Sequence, residues 1–101
     1  MTLNPNSYTK QPWEEETIKI DFTERLAAGD SLSSALVTIW EGTTEKTTEM
    51  IGSSSVENPY VIVKLKAGED GINYSLRVRA TTSNGGKYEE DLVVRIRQIG
   101  Q

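Results

Sequence analysis

The sequence predicts an all-β fold, an immunoglobulin or fibronectin type III-like β-sandwich of about seven strands with one short helical turn. Three observations favour this class. Apolar and polar residues alternate in several short runs, as expected for strands with one buried face. Turn residues, mainly Gly, Asn, Asp and Ser, separate these runs. A single short segment spaces its apolar residues as a helix does.

The length of 101 residues is that of one domain. We divide the chain into an extended N-terminal arm, residues 1–16, and a β-sandwich domain, residues 17–101. The arm has neither the period of a strand nor that of a helix, and Pro5 and Pro12 favour extended backbone before them. We therefore expect the core to lie in the sandwich domain.

The composition excludes most designs for catalysis or metal binding. The chain has no Cys and no His, which removes disulfides, thiol nucleophiles, Ser-His-Asp triads and His-based metal sites. The acidic runs at residues 14–16 and 68–70 lack the alternating oxygen ligands of a calcium loop. We therefore expect no enzyme activity, no metal site and no cofactor.

Charge and hydropathy argue against two classes of partner. Fifteen acidic and eleven basic residues give a net charge of -4, which opposes binding to nucleic-acid phosphates. The sequence has no apolar run of about 18 residues that would span a membrane. It also lacks the pattern of a signal peptide. We therefore expect neither nucleic acid nor membrane among the partners.

The strands follow from alternation. Residues 17–22 are the first predicted strand, and residues 35–40 are an interior strand because they are rich in β-branched residues. Residues 41–58 are polar, which favours short exposed edge strands, and residues 60–68 restore a strong strand pattern. Alternation groups the apolar residues by face: Ile18, Ile20 and Phe22 lie on the buried face of the first strand, Val37 and Ile39 lie opposite Leu36 and Trp40, and Val61, Val63 and Leu65 share one face.

The segment after the first strand, residues 21–30, has the spacing of a short helix, and we call it the plug segment. Asp21 is a capping residue, and Glu24 stands at the third position of a capping box. Phe22 and Leu26 lie four residues apart on one face, and Gly29 can end the helix in the left-handed region. We predict that Phe22 and Leu26 close the open end of the sandwich while the chain passes between the sheets.

Two long alternating runs flank residues 84–86, which indicates a β-hairpin. A two-residue loop would place Arg77 opposite Leu92, whereas the three-residue loop 84–86 places Val78 opposite Leu92. Only the second register sorts apolar from charged side chains, because a one-residue slip reverses every side chain. We therefore predict the longer loop.

Tyr74 stands near the start of the penultimate strand, directly after a turn. This is the position of a tyrosine corner, in which the hydroxyl bonds to backbone a few residues upstream. A plain core tyrosine would occupy the same position, so both interpretations stay open.

The hairpin also carries a basic stripe. In the predicted register one solvent face bears Arg77, Arg79, Arg95 and Arg97. Glu89 and Asp91 lie on the same face, and no aromatic residues interleave with the arginines. This pattern favours ion pairs on a solvated or protein-docking face over a nucleic-acid site.

These motifs together resemble a family of small proteins encoded among the structural genes of tailed bacteriophages and prophages, the phage fibre-tail adaptor-like proteins. The matching features are Lys10 and Pro12 of a Lys-x-Pro segment; Asp21, Phe22, Leu26, Gly29 and Asp30 of the plug segment; and Gly71, Tyr74 and residues 81–85. The resemblance covers about residues 10–97. The chain departs from it at Arg25, where an aromatic is common, and in the polar residues 41–50.

The resemblance implies a non-enzymatic virion structural subunit, a tail or neck adaptor with an immunoglobulin-like fold that acts through protein–protein contacts. It implies other virion proteins and further copies of the same chain as partners, and a location in the virion after synthesis in the bacterial cytoplasm. The alternative is an immunoglobulin-like module that binds a ligand or carbohydrate. Such a module should cluster exposed aromatics on one surface, and the candidates are Trp40, Tyr60 and Tyr88.

The expected arm carries three candidate partner contacts, Leu3, Tyr8 and Trp13. Aromatic anchors on an extended segment suit docking onto a neighbouring subunit. The alternative is that Tyr8 and Trp13 fold back along their own domain and close its edge. Both arrangements stay open at this point.

Overall fold

The computed structural model describes the backbone of residues 2–3 and the whole of residues 7–98. The strands in chain order are β1 Thr2–Leu3, β2 Ser7–Lys10, β3 Glu16–Asp21, β4 Leu32–Glu41, β5 Thr44–Glu45, β6 Ile51–Glu57, β7 Tyr60–Leu65, β8 Asn73–Thr82 and β9 Lys87–Ile96. They form a four-stranded sheet, β1-β3-β7-β6, and a five-stranded sheet, β2-β9-β8-β4-β5. The predicted all-β sandwich is confirmed.

The core lies between the inner faces of the two sheets. The apolar residues that alternation grouped on one face of β3 and of β7 are buried. In β4, where alternation left both faces open, the buried face is that of Val37 and Ile39, and Leu36 on the opposite face is exposed. The other buried apolar residues are Tyr8, Leu32, Met50, Tyr74, Leu76, Val78, Ala80, Leu92, Val94 and Ile96. The period of two in each strand therefore predicts the faces correctly.

The hairpin between β8 and β9 has a three-residue loop, but the loop is residues 83–85 and not 84–86. The predicted register is therefore wrong by two positions, and Leu92 lies opposite Leu76 instead of Val78. Loops of this length need a left-handed residue at their last position. Gly85 takes it with φ +86°. Apolar and charged side chains still lie on the predicted faces, because a register shift of two positions leaves every side chain on the same face of the sheet.

The N-terminal segment expected as an arm joins both sheets in its described part. β1 pairs with β3, and β2 pairs with β9, both in parallel. Glu16, expected as the last residue of the arm, is the first residue of β3. The chain thus contributes strands to each sheet before the predicted boundary of the sandwich domain.

The polar stretch 41–58 forms the short edge strands that its composition predicted, and it also contains one helical turn that was not predicted. It holds the short strand β5, a one-turn helix, α1 Thr47–Met50, and the edge strand β6. Met50 is buried beneath this helix, and the Thr47 hydroxyl accepts a hydrogen bond from the Ile39 N–H at 3.1 Å. The alternation pattern carried no signal for α1, because one turn contains a single buried residue.

The plug segment forms a 3-10 turn, Thr23–Arg25, rather than an α-helical turn. It lies between β3 of one sheet and β4 of the other, as predicted. The Asp21 carboxylate accepts a hydrogen bond from the Thr23 N–H at 2.8 Å. The capping box expected from Glu24 is wrong, since the Asp21 carboxylate bonds to the Thr23 N–H and the residue at the N-cap is Phe22, which makes no side-chain cap hydrogen bond.

The two apolar residues of the plug segment pack against the core, and its glycine adopts a left-handed backbone conformation. Phe22 is fully buried, and Leu26 is half-buried against the same core. Gly29 has φ +81°, a left-handed conformation that costs an L-residue about 1–2 kcal/mol. The segment thereby turns back toward β4 just after its apolar residues have packed.

Candidate interaction surfaces

A tight turn places Trp13 at the surface of the domain, where it borders an open cleft. The N–H of Glu14 donates to the Gln11 carbonyl at 3.1 Å, and the N–H of Gln11 donates to the Glu14 carboxylate at 2.7 Å. Pro12 occupies the second position, where its fixed φ suits the turn. Trp13, at the third position, is 91% exposed. We call residues 11–14 the Trp13 turn.

Lys10 ties the Trp13 turn to the sandwich. It is only 1% exposed, and its Nζ donates to the carbonyls of Gln11 at 2.8 Å and Pro12 at 3.3 Å. Burial lowers the pKa of the Lys10 amine, while the carboxylates of residues 14–16 act in the opposite direction. These two bonds fix the turn in the orientation that exposes Trp13.

Tyr8 and Leu3, the other candidate contacts, lie in strands. Tyr8 pairs with Val94 of β9 and is buried in the core. Burial raises the pKa of its hydroxyl, and the Glu16 carboxylate raises it further. Leu3 pairs with Ile20 of β3 along the backbone, and its side chain lies outside the described part of the chain. Of these three candidate contacts, Trp13 is therefore the one whose side chain is described and exposed.

A second surface is the outer face of the five-stranded sheet. Strand pairing aligns Leu36 with Arg79 and Glu89, and Thr38 with Arg77 and Asp91. Arg79 Nε donates to Glu89 at 2.8 Å, and this bond lowers the pKa of the Glu89 carboxyl. Arg77 Nε lies 3.5 Å from Asp91, whose pKa burial raises. Carboxylates thus interrupt the basic stripe.

The remaining two arginines of that stripe differ from each other. Arg97 donates to its neighbour, the Ile96 carbonyl, at 2.7 Å and to the Asn73 side-chain oxygen at 2.8 Å. Arg95 is exposed on β9, opposite Asn73. The four arginines therefore do not present a continuous row of free charge.

A groove of about 520 Å³ lies on the same face, near the first residues of β9. We call it the Leu36 groove, and its side-chain walls include Ser34, Leu36, Arg79, Thr81, Lys87 and Glu89. Leu36 is 60% exposed. Within residues 7–98, Trp13 is the one other large hydrophobic side chain that is exposed. Lys87 is exposed and makes no ion pair within residues 7–98. The groove therefore combines accessible apolar surface with an available positive charge.

The aromatics considered for a ligand-binding module lie on three separate surfaces. Trp40 is on the outer face of the five-stranded sheet, in β4. Tyr60 belongs to the other sheet, where Lys19 Nζ lies 5.3 Å from its ring centre. Tyr88 packs against the core at the start of β9 and lies 5.6 Å from the Arg25 guanidinium. These three side chains form no shared binding surface.

The sequence interpretation missed the role of Arg25. Its Nε lies 2.6 Å from the Glu90 carboxylate, and its Nη2 donates to the Glu89 carbonyl at 3.0 Å. Arg25 also covers the Tyr88 ring. It thereby fastens the plug segment to β9. The sequence contained one signal for this role, namely that Arg25 stands where the resemblance leads us to expect an aromatic residue.

The described part of the chain lacks two features. No group of three or more Asp or Glu side chains there is placed to hold a metal ion. No helix among those residues is long and apolar enough to cross a membrane.

Comparison with known proteins bears on what these surfaces serve. The profile of a family described as Podophage GP4 fiber-tail adaptor protein gp77 matches residues 10–95. The match begins at Lys10 beneath the Trp13 turn and ends in β9, so it spans most of both sheets. No match was found among curated proteins. The similarity predicted from the sequence motifs is thus confirmed, and the chain belongs to the podophage GP4 fiber-tail adaptor protein gp77 family.

Proposed function

We propose that the chain is a non-enzymatic structural subunit at the tail or neck of a podophage or prophage virion, where it joins neighbouring virion proteins. Its family has a structural role in phage tails. The finer assignment, attachment through protein–protein contacts, is supported above all by Trp13, which is 91% exposed on a hydrogen-bonded turn. A buried Trp is among the strongest anchors of protein interfaces, so one held outward suits a docking residue.

Preorganisation strengthens this argument. Ordering a flexible side chain or loop at an interface costs about 0.5–1.5 kcal/mol for each side chain that is immobilised. The Trp13 turn already has its backbone fixed by the Gln11–Glu14 bonds and by Lys10. Docking through Trp13 therefore requires little further ordering of the turn.

The three candidate contacts of the N-terminal segment take different roles in this proposal. Trp13 contacts a partner. Tyr8 stabilises β2 within the monomer, because its ring is buried in the core. Leu3 remains a proposed contact by its sequence position in β1, next to β3.

The ligand-binding alternative lacks a specific supporting observation. Its three aromatics occupy separate surfaces, and two of them are already covered by cationic side chains. A carbohydrate-binding site would require aromatic and polar groups that converge on one pocket. We therefore retain the structural role as the proposed function.

The test begins with purified phage particles. Mass spectrometry should detect the chain in them, and image reconstruction should place it at the tail or neck. Replacement of Trp13 by Ala should prevent incorporation while the purified domain keeps its melting temperature. Thr17→Ala, a change at another exposed residue, is the matched control and should incorporate normally.

Two results would count against the proposal. Absence of the chain from particles would contradict the virion role. Normal incorporation of the Trp13→Ala protein would contradict the contact assigned to Trp13 while leaving the virion role intact.

A further inference from the structure

We infer that the Trp13 turn of one subunit docks into the Leu36 groove of a second copy of the same chain. This inference rests on the proposed function and names the partner surface that Trp13 contacts. It gives the chain one donor surface and one acceptor surface, so that a series of copies can assemble by repeating a single contact.

The first argument is the distribution of exposed apolar surface. Within residues 7–98, the exposed large hydrophobic side chains are Trp13, at 91%, and Leu36, at 60%. One projects from a turn and the other borders a concave surface. A projecting aromatic and an apolar groove are the two halves of a common anchor-in-pocket contact.

The second argument is size. The Leu36 groove has a volume of about 520 Å³, which lies in the range of about 300–1,000 Å³ for pockets that accept small-molecule-sized groups. An indole ring therefore fits within it. Leu36 supplies apolar contact, and the aliphatic stems of Arg79 and Lys87 can lie along the ring while their charged ends stay in water.

Charge supplies the third argument. Glu14 follows Trp13 directly, so an indole that enters the groove brings a carboxylate to its mouth, whereas the next residue, Glu15, already lies 3.5 Å from Lys64 Nζ. Lys87 lines that mouth and has no ion-pair partner within residues 7–98. Arg79 is already paired with Glu89 at 2.8 Å. Lys87 is thus available for an incoming carboxylate, and opposite charges favour this orientation of docking.

The fourth argument is placement, which excludes contact within one monomer. Lys10, beneath the Trp13 turn, pairs with Ile96 at the end of β9, whereas Lys87 of the groove begins that strand. At about 3.3 Å per residue, the ten residues of β9 separate the two sites by roughly 30 Å. Because donor and acceptor are different surfaces about 30 Å apart on each copy, we infer a head-to-tail contact, which builds a ring or a filament.

The test exploits the absence of native cysteine. We would produce particles in which the chain carries both Glu15→Cys, beside Trp13, and Ser34→Cys, in the groove. Treatment with a short bis-maleimide should give a ladder of dimers, trimers and larger species on a denaturing gel. The pair Glu15→Cys with Ser55→Cys places the second thiol on β6, outside the groove, and should stay monomeric.

Side-chain variants then test the anchor itself. Adding Leu36→Ser to the reactive pair should reduce incorporation into particles and the cross-linked species together by about tenfold or more, as expected for loss of a hot-spot contact. Trp13→Phe should retain most of the ladder because it keeps an aromatic anchor. Both positions are exposed, so the purified variants should melt at the temperature of the parent protein.

The outcomes distinguish the two proposals. Particles that contain the chain but give only monomers from the groove pair would overturn this inference and leave the proposed function standing. A ladder from the β6 pair alone would assign the contact to that edge strand instead. Wild-type particles without the chain would overturn both proposals.

Discussion

The hydroxyl oxygen of Tyr74 accepts a hydrogen bond from the backbone N–H of Glu69 at 3.0 Å. Tyr74 is buried at the start of β8, and Glu69 lies in the loop that leads into this strand. This bond to backbone upstream is what distinguishes a tyrosine corner from a plain core tyrosine. It fastens the loop between β7 and β8 to the core.

Replacement of Tyr74 by Phe should therefore lower the free energy of unfolding by about 1–2 kcal/mol, because the partly buried Glu69 N–H loses its acceptor. Urea denaturation measures the change. Tyr60→Phe is the control, since no hydrogen bond to the Tyr60 hydroxyl is found within residues 7–98. Equal effects of the two substitutions would show that the Tyr74 bond contributes nothing.

The plug residues should differ in their energetic contribution. Phe22→Ala should cost about 3–5 kcal/mol because the ring is fully buried, whereas half-buried Leu26→Ala should cost only about 1–2 kcal/mol. Chemical denaturation of both variants gives the comparison. A larger loss from Leu26 than from Phe22 would mean that the plug packs differently from this structure.

The hairpin loop gives a prediction about backbone conformation. Gly85 has φ +86°, and a side chain at this position would meet no atom within 4 Å. Gly85→Ala should therefore destabilise the protein by about 1–2 kcal/mol through the backbone alone. Gly85→Asn should cost less, since Asn tolerates the left-handed region. Thermal unfolding that ranked the two substitutions equally would argue against this loop.

Tyr8 should make stability sensitive to alkaline pH. Its pKa is raised above the ordinary value of 10.0, first by burial and then by Glu16. Above this value the unfolded chain releases the hydroxyl proton while the folded chain keeps it, so stability falls as pH rises. Between about pH 9 and about pH 11 the wild type should lose more stability than Tyr8→Phe.

Urea denaturation at both pH values would check this expectation. The lowered pKa of Lys10 acts with the opposite sign, because the folded amine loses its proton before the unfolded one does. A Lys10→Met protein should consequently show a steeper alkaline loss than the wild type. The Tyr8 assignment would fail if Tyr8→Phe and wild type lost stability in parallel.

The sequence by itself determined how apolar and polar residues are sorted between the two faces of the main strands. Alternation at Ile18, Ile20, Val61 and Val63 has a period of two, and the same period decides the face of a strand in any sheet. The length of the hairpin loop and the passage of the plug segment between sheets were also predicted, because each depends on residues close together in the chain.

Features that depend on contacts between residues far apart in the sequence were decided by the tertiary structure alone. The pairing of β2 with β9 joins segments about 86 positions apart, as Ser7 with Val93 shows, and no local pattern encodes it. This pairing buries Tyr8 and leaves Trp13 exposed, although the two aromatics looked equivalent in sequence. The Leu36 groove likewise forms from three strands at once. Its shape follows from side chains that sheet pairing brings together, since neighbours across a sheet are set by register and not by sequence distance.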